Sequence, residues 1–291
     1  MKTVTLDAYA KINLFLDIVS KRDDGYHNIE SVMQTVSLAD KVTLMLADGE
    51  GKSIRQHFPG TSLPCDETNI CYKSALAYFK YFGIENYSVD IKVTKNIPEA
   101  AGLAGGSADG AAVICALDML YEKNTDIDTL CKIGLTVGSD IAFCIVGGTA
   151  SVTGRGEYVK ELAPLSEAGL YCVVAKSTKE AVSTREAYAK IDAGKRKNEP
   201  QISFEKYVGA IENRDTNAIG KGFYNIFEDV MSDSLKDTFE IKRMLKRNGA
   251  LAAQMSGSGP SVFGLFERKA DAESACHALE KDYFARVCEL K

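Results

Sequence analysis

The chain has 291 residues, of which 45% are hydrophobic and 26% charged. That is the balance of an ordinary globular protein, at a length more typical of two domains than one. With 40 acidic residues against 35 basic ones the net charge is −5, so no basic field is offered to nucleic acid. Eight cysteines form no C-x-x-C pair, and several sit in apolar runs such as "AVICAL" and "IAFCIV". They read as buried free thiols of a reducing compartment.

The opening "MKTVTLDAYAKINLF" carries Asp7 and Lys11 where a secretion signal would be apolar, and the run "IAFCIVGGTASVTG" is too short and glycine-rich to cross a bilayer. A cytoplasmic protein is expected. In "AKINLFLDIV" the residues Ile12, Leu14, Leu16 and Ile18 alternate with Asn13, Phe15 and Asp17, which predicts a strand with one core face. "KRDDGYH" supplies a turn with Asp24-Gly25 at its tip. Further strands are predicted at "KVTLML" and "YSVDIKVTK", with a helix in "NICYKSALAYFKYFG" that Gly83 ends. "GEGKS" at 49–53 resembles the end of a Walker A loop, but Leu46 stands where the first glycine must be, so it reads as a polar turn.

Residues 98–112, "PEAAGLAGGSADGAA", are nearly bare of bulk just before a predicted buried helix, "ADGAAVICALDMLY". First-turn N–H groups of a helix have no intrahelical partner and lie at the positive end of its dipole, so small residues there let a phosphate reach them. Ser107 can cap that helix or offer a hydroxyl to phosphate or Mg²⁺. Close packing of helix on sheet also favours Gly and Ala, and the residues alone leave both readings open. No G-x-G-x-x-G and no protein-kinase motif set is present.

A second helix, "TDIDTLCKIGLTVG", starts at Thr125 or Asp126. A domain boundary is expected near 155–165, giving domains 1–160 and 161–291, and "KRKNEPQISF" at 195–204 reads as a loop. Helices follow at about 203–213, 232–248 and 269–283, with "GALAAQMSGSGPSVFGLFE" before the last and a short strand, "ARVCEL", after it. Together these predict an α+β domain with an antiparallel sheet. In "GSGPSVF", Gly257 and Gly259 fit either a tight turn or a close approach to a ligand. The three histidines have no zinc spacing. Taken alone, Asp140 is a cap or turn residue and Lys11 an edge-strand charge.

Three stretches together are more specific: "AYAKINLFLDIVSKRDDGYH" at 8–27, "IPEAAGLAGGSADGAA" at 97–112 and "MSGSGPSVFGLF" at 255–266. In order and spacing they resemble the three signature motifs of the GHMP kinase superfamily, over nearly the whole chain. Within it, "AKINLFL", "DGYH" and "GSDIAF" resemble the branch that phosphorylates the 2-hydroxyl of 4-diphosphocytidyl-2-C-methyl-D-erythritol in the non-mevalonate isoprenoid pathway.

The resemblance implies an α+β fold of two domains, the first like domain 2 of ribosomal protein S5 and the second ferredoxin-like, with the site in the cleft between them. It implies ATP and Mg²⁺, a small-molecule partner carrying a cytidine diphosphate group, no nucleic acid or membrane partner, and a monomer or weak homodimer. By the same resemblance Asp140 is the base and Lys11 its catalytic partner. Asn13, Tyr26, His27, Thr184 and Tyr188 bind substrate. Asn69, Lys95, Pro98, Gly102, Leu103, Ala104, Gly105, Gly106, Ser107 and Ala108 bind ATP, and Gly257 and Gly259 form the C-terminal glycine loop. Metal ligation is left to Ser107 at most. Tyr9, Ala108 and Ser139 depart from residues frequent in the family, and Ala108 removes one hydroxyl from the phosphate loop. Competing functions are another small-molecule kinase of the superfamily, a non-catalytic nucleotide or metabolite sensor, and an RNA-binding module. "DGYH" argues against the first, retention of both Lys11 and Asp140 against the second, and the acidic balance against the third.

Overall fold

The structure is a computed structural model that describes residues 2–46, 51–194 and 197–291. The first residues of the expected "GEGKS" turn and of the 195–204 loop lie outside the described residues. The chain divides into two compact units that are not successive halves. The first takes Met1–Ala10, Leu38–Ile97 and Ala104–Val146; the second takes Lys11–Ser37, Pro98–Leu103 and Gly147–Lys291.

Two long strands, β1 (Thr3–Lys21) and β2 (His27–Leu46), each contribute one part to either unit. β1 forms where alternation predicts a strand, but the expectation of one core face is corrected. Every residue from Ala10 to Ile18 is buried, Asn13 and Phe15 at 1% exposure. The polar positions tolerate this because they are bonded: Asn13 Nδ2 donates to Ser31 Oγ, and Asp17 accepts from the Ile18 N–H.

In the first unit β3 (Lys52–His57) runs parallel to β4 (Tyr87–Thr94), which pairs antiparallel with Lys41–Leu46 of β2. Between them lies α1 (Ile70–Tyr81), capped by the Asn69 side chain on the Cys71 N–H and followed by Gly83 at φ +62. The helix α2 (Gly105–Leu120) begins three residues before its expected start, and α3 (Ile127–Leu135) is capped by Asp126. A helix the sequence patterning left unmarked, α4 (Ser139–Val146), follows. Glycines let these helices approach: a Cβ on Gly110 would stand 2.7 Å from Ser74 Oγ, and one on Gly134 2.5 Å from Ile141 Cγ2. The core they close holds Leu44, Tyr78, Phe79, Val89, Ile91 and Leu117.

In the second unit β5 (Thr149–Gly154) pairs antiparallel with Ile29–Gln34 of β2 and with β6 (Tyr158–Glu161). Residue 160, the expected boundary, therefore lies inside a strand of this unit. β7 (Tyr171–Lys176), α5 (Thr184–Asp192), α6 (Phe204–Glu212), α7 (Thr216–Lys221), β8 (Tyr224–Asn225) and α8 (Ile226–Met231) come next. α9 (Lys236–Arg247), β9 (Ala252–Met255), β10 (Val262–Phe266), α10 (Lys269–Leu279) and β11 (Phe284–Glu289) complete the chain. α9 thus begins four residues later and ends one earlier than the helix expected over 232–248, and α10 ends four residues before the expected 283. β8 lies parallel to β1. β11, β7, β10 and β9 form a fully antiparallel sheet in that order, as patterning predicts, with α9 and α10 packed on it around Val173, Ile241, Leu245, Phe266 and Leu279.

All eight cysteines are free, but Cys65 is exposed, which corrects the uniformly buried expectation. Among the described residues no helix is long and apolar enough to cross a membrane.

Candidate active site

The glycine-rich segment ends in α2, whose N-cap Ala104 adopts left-handed φ/ψ and makes no side-chain cap hydrogen bond. The first-turn N–H groups of Gly105, Gly106 and Ser107 are therefore not covered by a capping side chain. The two first-turn glycines differ in what surrounds them. A Cβ on Gly105 would meet Ile97 Cγ2 at 3.0 Å, so its bareness serves packing; one on Gly106 would find nothing nearer than Ile70 Cγ2 at 3.6 Å. Gly106 is bare without a packing reason. Ala108 is buried in the core of this unit.

Beneath this turn sits a buried triad that sequence reasoning missed. Lys95 Nζ, 3.5 Å from where a Gly105 Cβ would stand, is bonded to both Asp40 and Asp109. Asp40 is fully buried and also accepts from the Asn96 and Ile97 N–H groups, while Asp109 Oδ1 has no hydrogen-bond partner. Burial, together with the neighbouring Asp40 charge and against Lys95, pushes the Asp109 carboxyl up to about 7. Burial works against the Lys95 charge too, but the two carboxylates hold its ammonium above the ordinary lysine range. The Lys95 ammonium and both ends of the Asn69 carboxamide, which cap α1 and bond Pro64 O, are thus engaged within the protein. Asp140 lies half-buried in the first turn of α4.

In the second unit Lys11 and Asn13, buried at 4% and 1% exposure, are joined through their side chains. Asn13 Oδ1 accepts from Lys11 Nζ at 2.6 Å and from the Gly257 N–H at 3.0 Å, so one carboxamide holds the lysine and anchors the C-terminal glycine loop. The same loop meets Pro98–Leu103. Ser256 Oγ donates to Gly102 O, the Ser261 N–H to Ala101 O, and the Lys11 N–H to Leu103 O. Gly102 has φ +73, and a Cβ on it would overlap the Ser256 carbonyl oxygen. The question the bare segment raised thus divides by residue: Gly102 and Gly105 are packing glycines. Gly257 and Gly259, at φ +54 and +88, make the tight turn on the other side.

One face of α5 carries the remaining cluster. Thr184, Tyr188 and Asp192 recur every four residues and so share a side. Thr184 Oγ1 bonds Ser258 Oγ at 3.0 Å, the Tyr188 ring lies 4.8 Å from that of His27, and Asp192 Oδ1 bonds His27 Nε2 at 2.7 Å. Bonds from Lys21 and His27 hold the Asp192 carboxyl below its usual range. Tyr26 is 53% exposed, with the Arg155 guanidinium 5.3 Å from its ring centroid. Asp192, Ser258 and Arg155 were not marked in the sequence. Asp192 was legible there, four residues beyond Tyr188 on a helical pattern.

For Mg²⁺, the described residues hold no cluster of three His, Cys, Asp or Glu side chains that would ligate a metal. A half-exposed serine hydroxyl in the first turn of α2 suits an ion that keeps most of its waters and binds chiefly through nucleotide phosphates. Ser107 fits that limited role.

Residues 69–148 match the family model of the GHMP kinases N-terminal domain, and residues 207–285 that of the GHMP kinases C-terminal domain. A 4-diphosphocytidyl-2-C-methyl-D-erythritol kinase of Clostridium perfringens is 38% identical over 280 residues, covering 96% of this chain and 94% of its own. One of Bacillus pumilus is 40% identical over 272 residues, 94% and 91% of the two chains. Among solved structures, a 4-(cytidine 5′-diphospho)-2C-methyl-D-erythritol kinase superposes with TM-score 0.78 and 30% identity over 99% of both chains. A homoserine kinase from Cytophaga hutchinsonii superposes at 0.77 with 23% identity, a likeness of fold alone.

Proposed function

As this chain belongs to the GHMP kinase family, we propose that it transfers the γ-phosphoryl of ATP to the 2-hydroxyl of 4-diphosphocytidyl-2-C-methyl-D-erythritol, a step of isoprenoid precursor synthesis. The observation that carries this is the 38–40% identity, over more than nine-tenths of the chain, to kinases of that name. A sensor without catalysis has nothing in its favour, and the homoserine kinase likeness does not reach substrate.

Phosphoryl transfer asks a protein for positioning and charge stabilisation. The uncapped first turn of α2 receives the ATP phosphates, with Gly106 leaving room for them and Ser107 lending a hydroxyl to the phosphate or to Mg²⁺. When bound, Mg²⁺ offsets charge on the β- and γ-phosphates. Asp140 takes the proton of the attacking hydroxyl as its oxygen bonds to phosphorus and the β–γ bridging oxygen leaves with ADP. Lys11, held by Asn13, offsets the charge on the transferring phosphoryl group. His27, oriented by Asp192 and Tyr188, and the exposed ring of Tyr26 recognise the cytosine, whose flat face suits stacking.

A coupled ADP-release assay across alcohols, with and without a cytidine diphosphate group, tests the assignment. Turnover confined to the cytidylyl alcohol is expected. Equal turnover of homoserine or mevalonate, or none with any alcohol, would reject it.

A further inference from the structure

A cavity of about 640 Å³ opens in the second unit where the short strand β8 and the sheet-edge strand β9 come together, with α7 and α9 on its sides. Its size is that of a small-molecule site, and none of its lining residues is among those assigned above to ATP or the alcohol. By number its charges cancel, Glu199, Glu228 and Asp229 against Lys221, Lys242 and Lys246, but they are not evenly paired. The Glu228 carboxylate accepts from Lys242 and from the Met255 N–H, and Asp229 accepts from the Lys197 and Asn198 N–H groups and from Asn198 Nδ2. The ammonium groups of Lys221 and Lys246 also line the cavity, and neither makes an ion pair or hydrogen bond with any described residue. In a chain of net charge −5, two uncommitted ammonium groups over one hollow form a local site for an anion. Phe223, Leu251 and Ala252 in the same lining give it an apolar side.

The base of the cavity is wired to the catalytic strand. Gln254 Nε2 lies within hydrogen-bond distance of the carbonyls of Asn13 and Leu14 (3.1 and 3.3 Å) and of Tyr224. Asn225 Nδ2 donates to the carbonyls of Met255 and Gly257. Both are lining residues, and they reach the two segments that the Asn13 side chain ties together.

We propose that this cavity is a regulatory site for a small organic phosphate, its phosphate on Lys221 and Lys246 and its apolar body toward Phe223 and Leu251, felt by Asn13 and Gly257 through Gln254 and Asn225. Binding at the cavity stands without the kinase assignment; its effect on turnover rests on that assignment.

The test uses the full chain and n-pentyl phosphate as probe, titrated calorimetrically with the nucleotide and cytidylyl sites saturated by a non-hydrolysable ATP analogue and cytidine diphosphate. Wild-type protein should bind, the Lys221→Gln/Lys246→Gln double variant at least tenfold more weakly, and Asp140→Asn as wild type. Inorganic phosphate and pentanol should each bind less tightly than the ester. In the assay the ester should change KM for the alcohol in wild type but not in the double variant, whose turnover without ester matches wild type and whose melting curve controls for folding. No heat at millimolar ester, or equal heat from the double variant, would overturn the site. An unchanged KM with ester bound would overturn the coupling, and absence of any ADP release would instead strike the kinase assignment while leaving the binding result to stand.

Discussion

Gly106→Ala separates the two reasons a chain has for leaving its backbone bare. The new Cβ would meet Ile70 Cγ2 at 3.6 Å, an ordinary contact, and Gly106 lies in the first turn of α2 rather than at positive φ. Replacing a helical glycine by alanine stabilises by about 0.5–1 kcal/mol, so melting should be unchanged or about 1–3 °C higher. If a phosphate oxygen takes the N–H groups of this turn, the methyl pushes it off one or two charge-assisted hydrogen bonds at about 1.5 kcal/mol or more each, a ten- to hundredfold rise in KM for ATP. The cytidylyl alcohol should be little affected. Gly102→Ala is the contrast: with φ +73 and a Cβ overlapping the Ser256 carbonyl, it should lose stability by about 3 kcal/mol or more through left-handed strain and the clash. Initial rates of ADP release against each substrate, with melting followed by circular dichroism, give both quantities. A Gly106→Ala protein that melts no lower than wild type and keeps its KM for ATP within about twofold, the scatter usual in such comparisons, would refute the phosphate assignment of this turn.

Asp140→Asn should leave nucleotide affinity, measured by titration, nearly intact while lowering kcat by roughly 10² to 10⁴; near-normal turnover would remove Asp140 from the chemistry. His27→Ala breaks the contacts to Asp192 and Tyr188 and should raise KM for the cytidylyl alcohol far more than for ATP, equal effects arguing against base recognition there. Asp109, with its carboxyl pushed up to about 7 in the folded protein, takes up a proton on folding between pH ~4 and ~7. Its contribution to stability is therefore fullest below about pH 4 and is lost as pH rises toward 7, by of order 2–4 kcal/mol. Asp109→Asn should flatten the difference between urea midpoints at pH 5 and pH 8, and an unaltered difference would exclude Asp109 as its source.

Local patterning carried much of the fold. Period-two alternation marked β1, Asp126 and Gly83 marked helix ends, and the spacing after residue 249 marked the antiparallel sheet. It failed where long-range pairing decided the outcome. The first half of β2, "HNIESVMQTV", has no clean alternation because Val32 and Met33 are both buried, and α4 is short and rich in apolar residues that suit a strand as well. The same limit governed the site. Nothing local announces that Gly102 is bare because residue 256 crosses it, that Asp40 and Asp109 flank Lys95, or that Asn13 reaches Gly257, since each partner is supplied by a distant segment.

The register of α5 has a consequence for inheritance. Thr184, Tyr188 and Asp192 keep their partners only because they stay in phase on one helix, at about 100° per residue. A point change silences one contact and leaves two. A single codon gained or lost between 184 and 192 swings those on one side of it away together. Drift in composition along this helix is therefore tolerable while drift in its length is not.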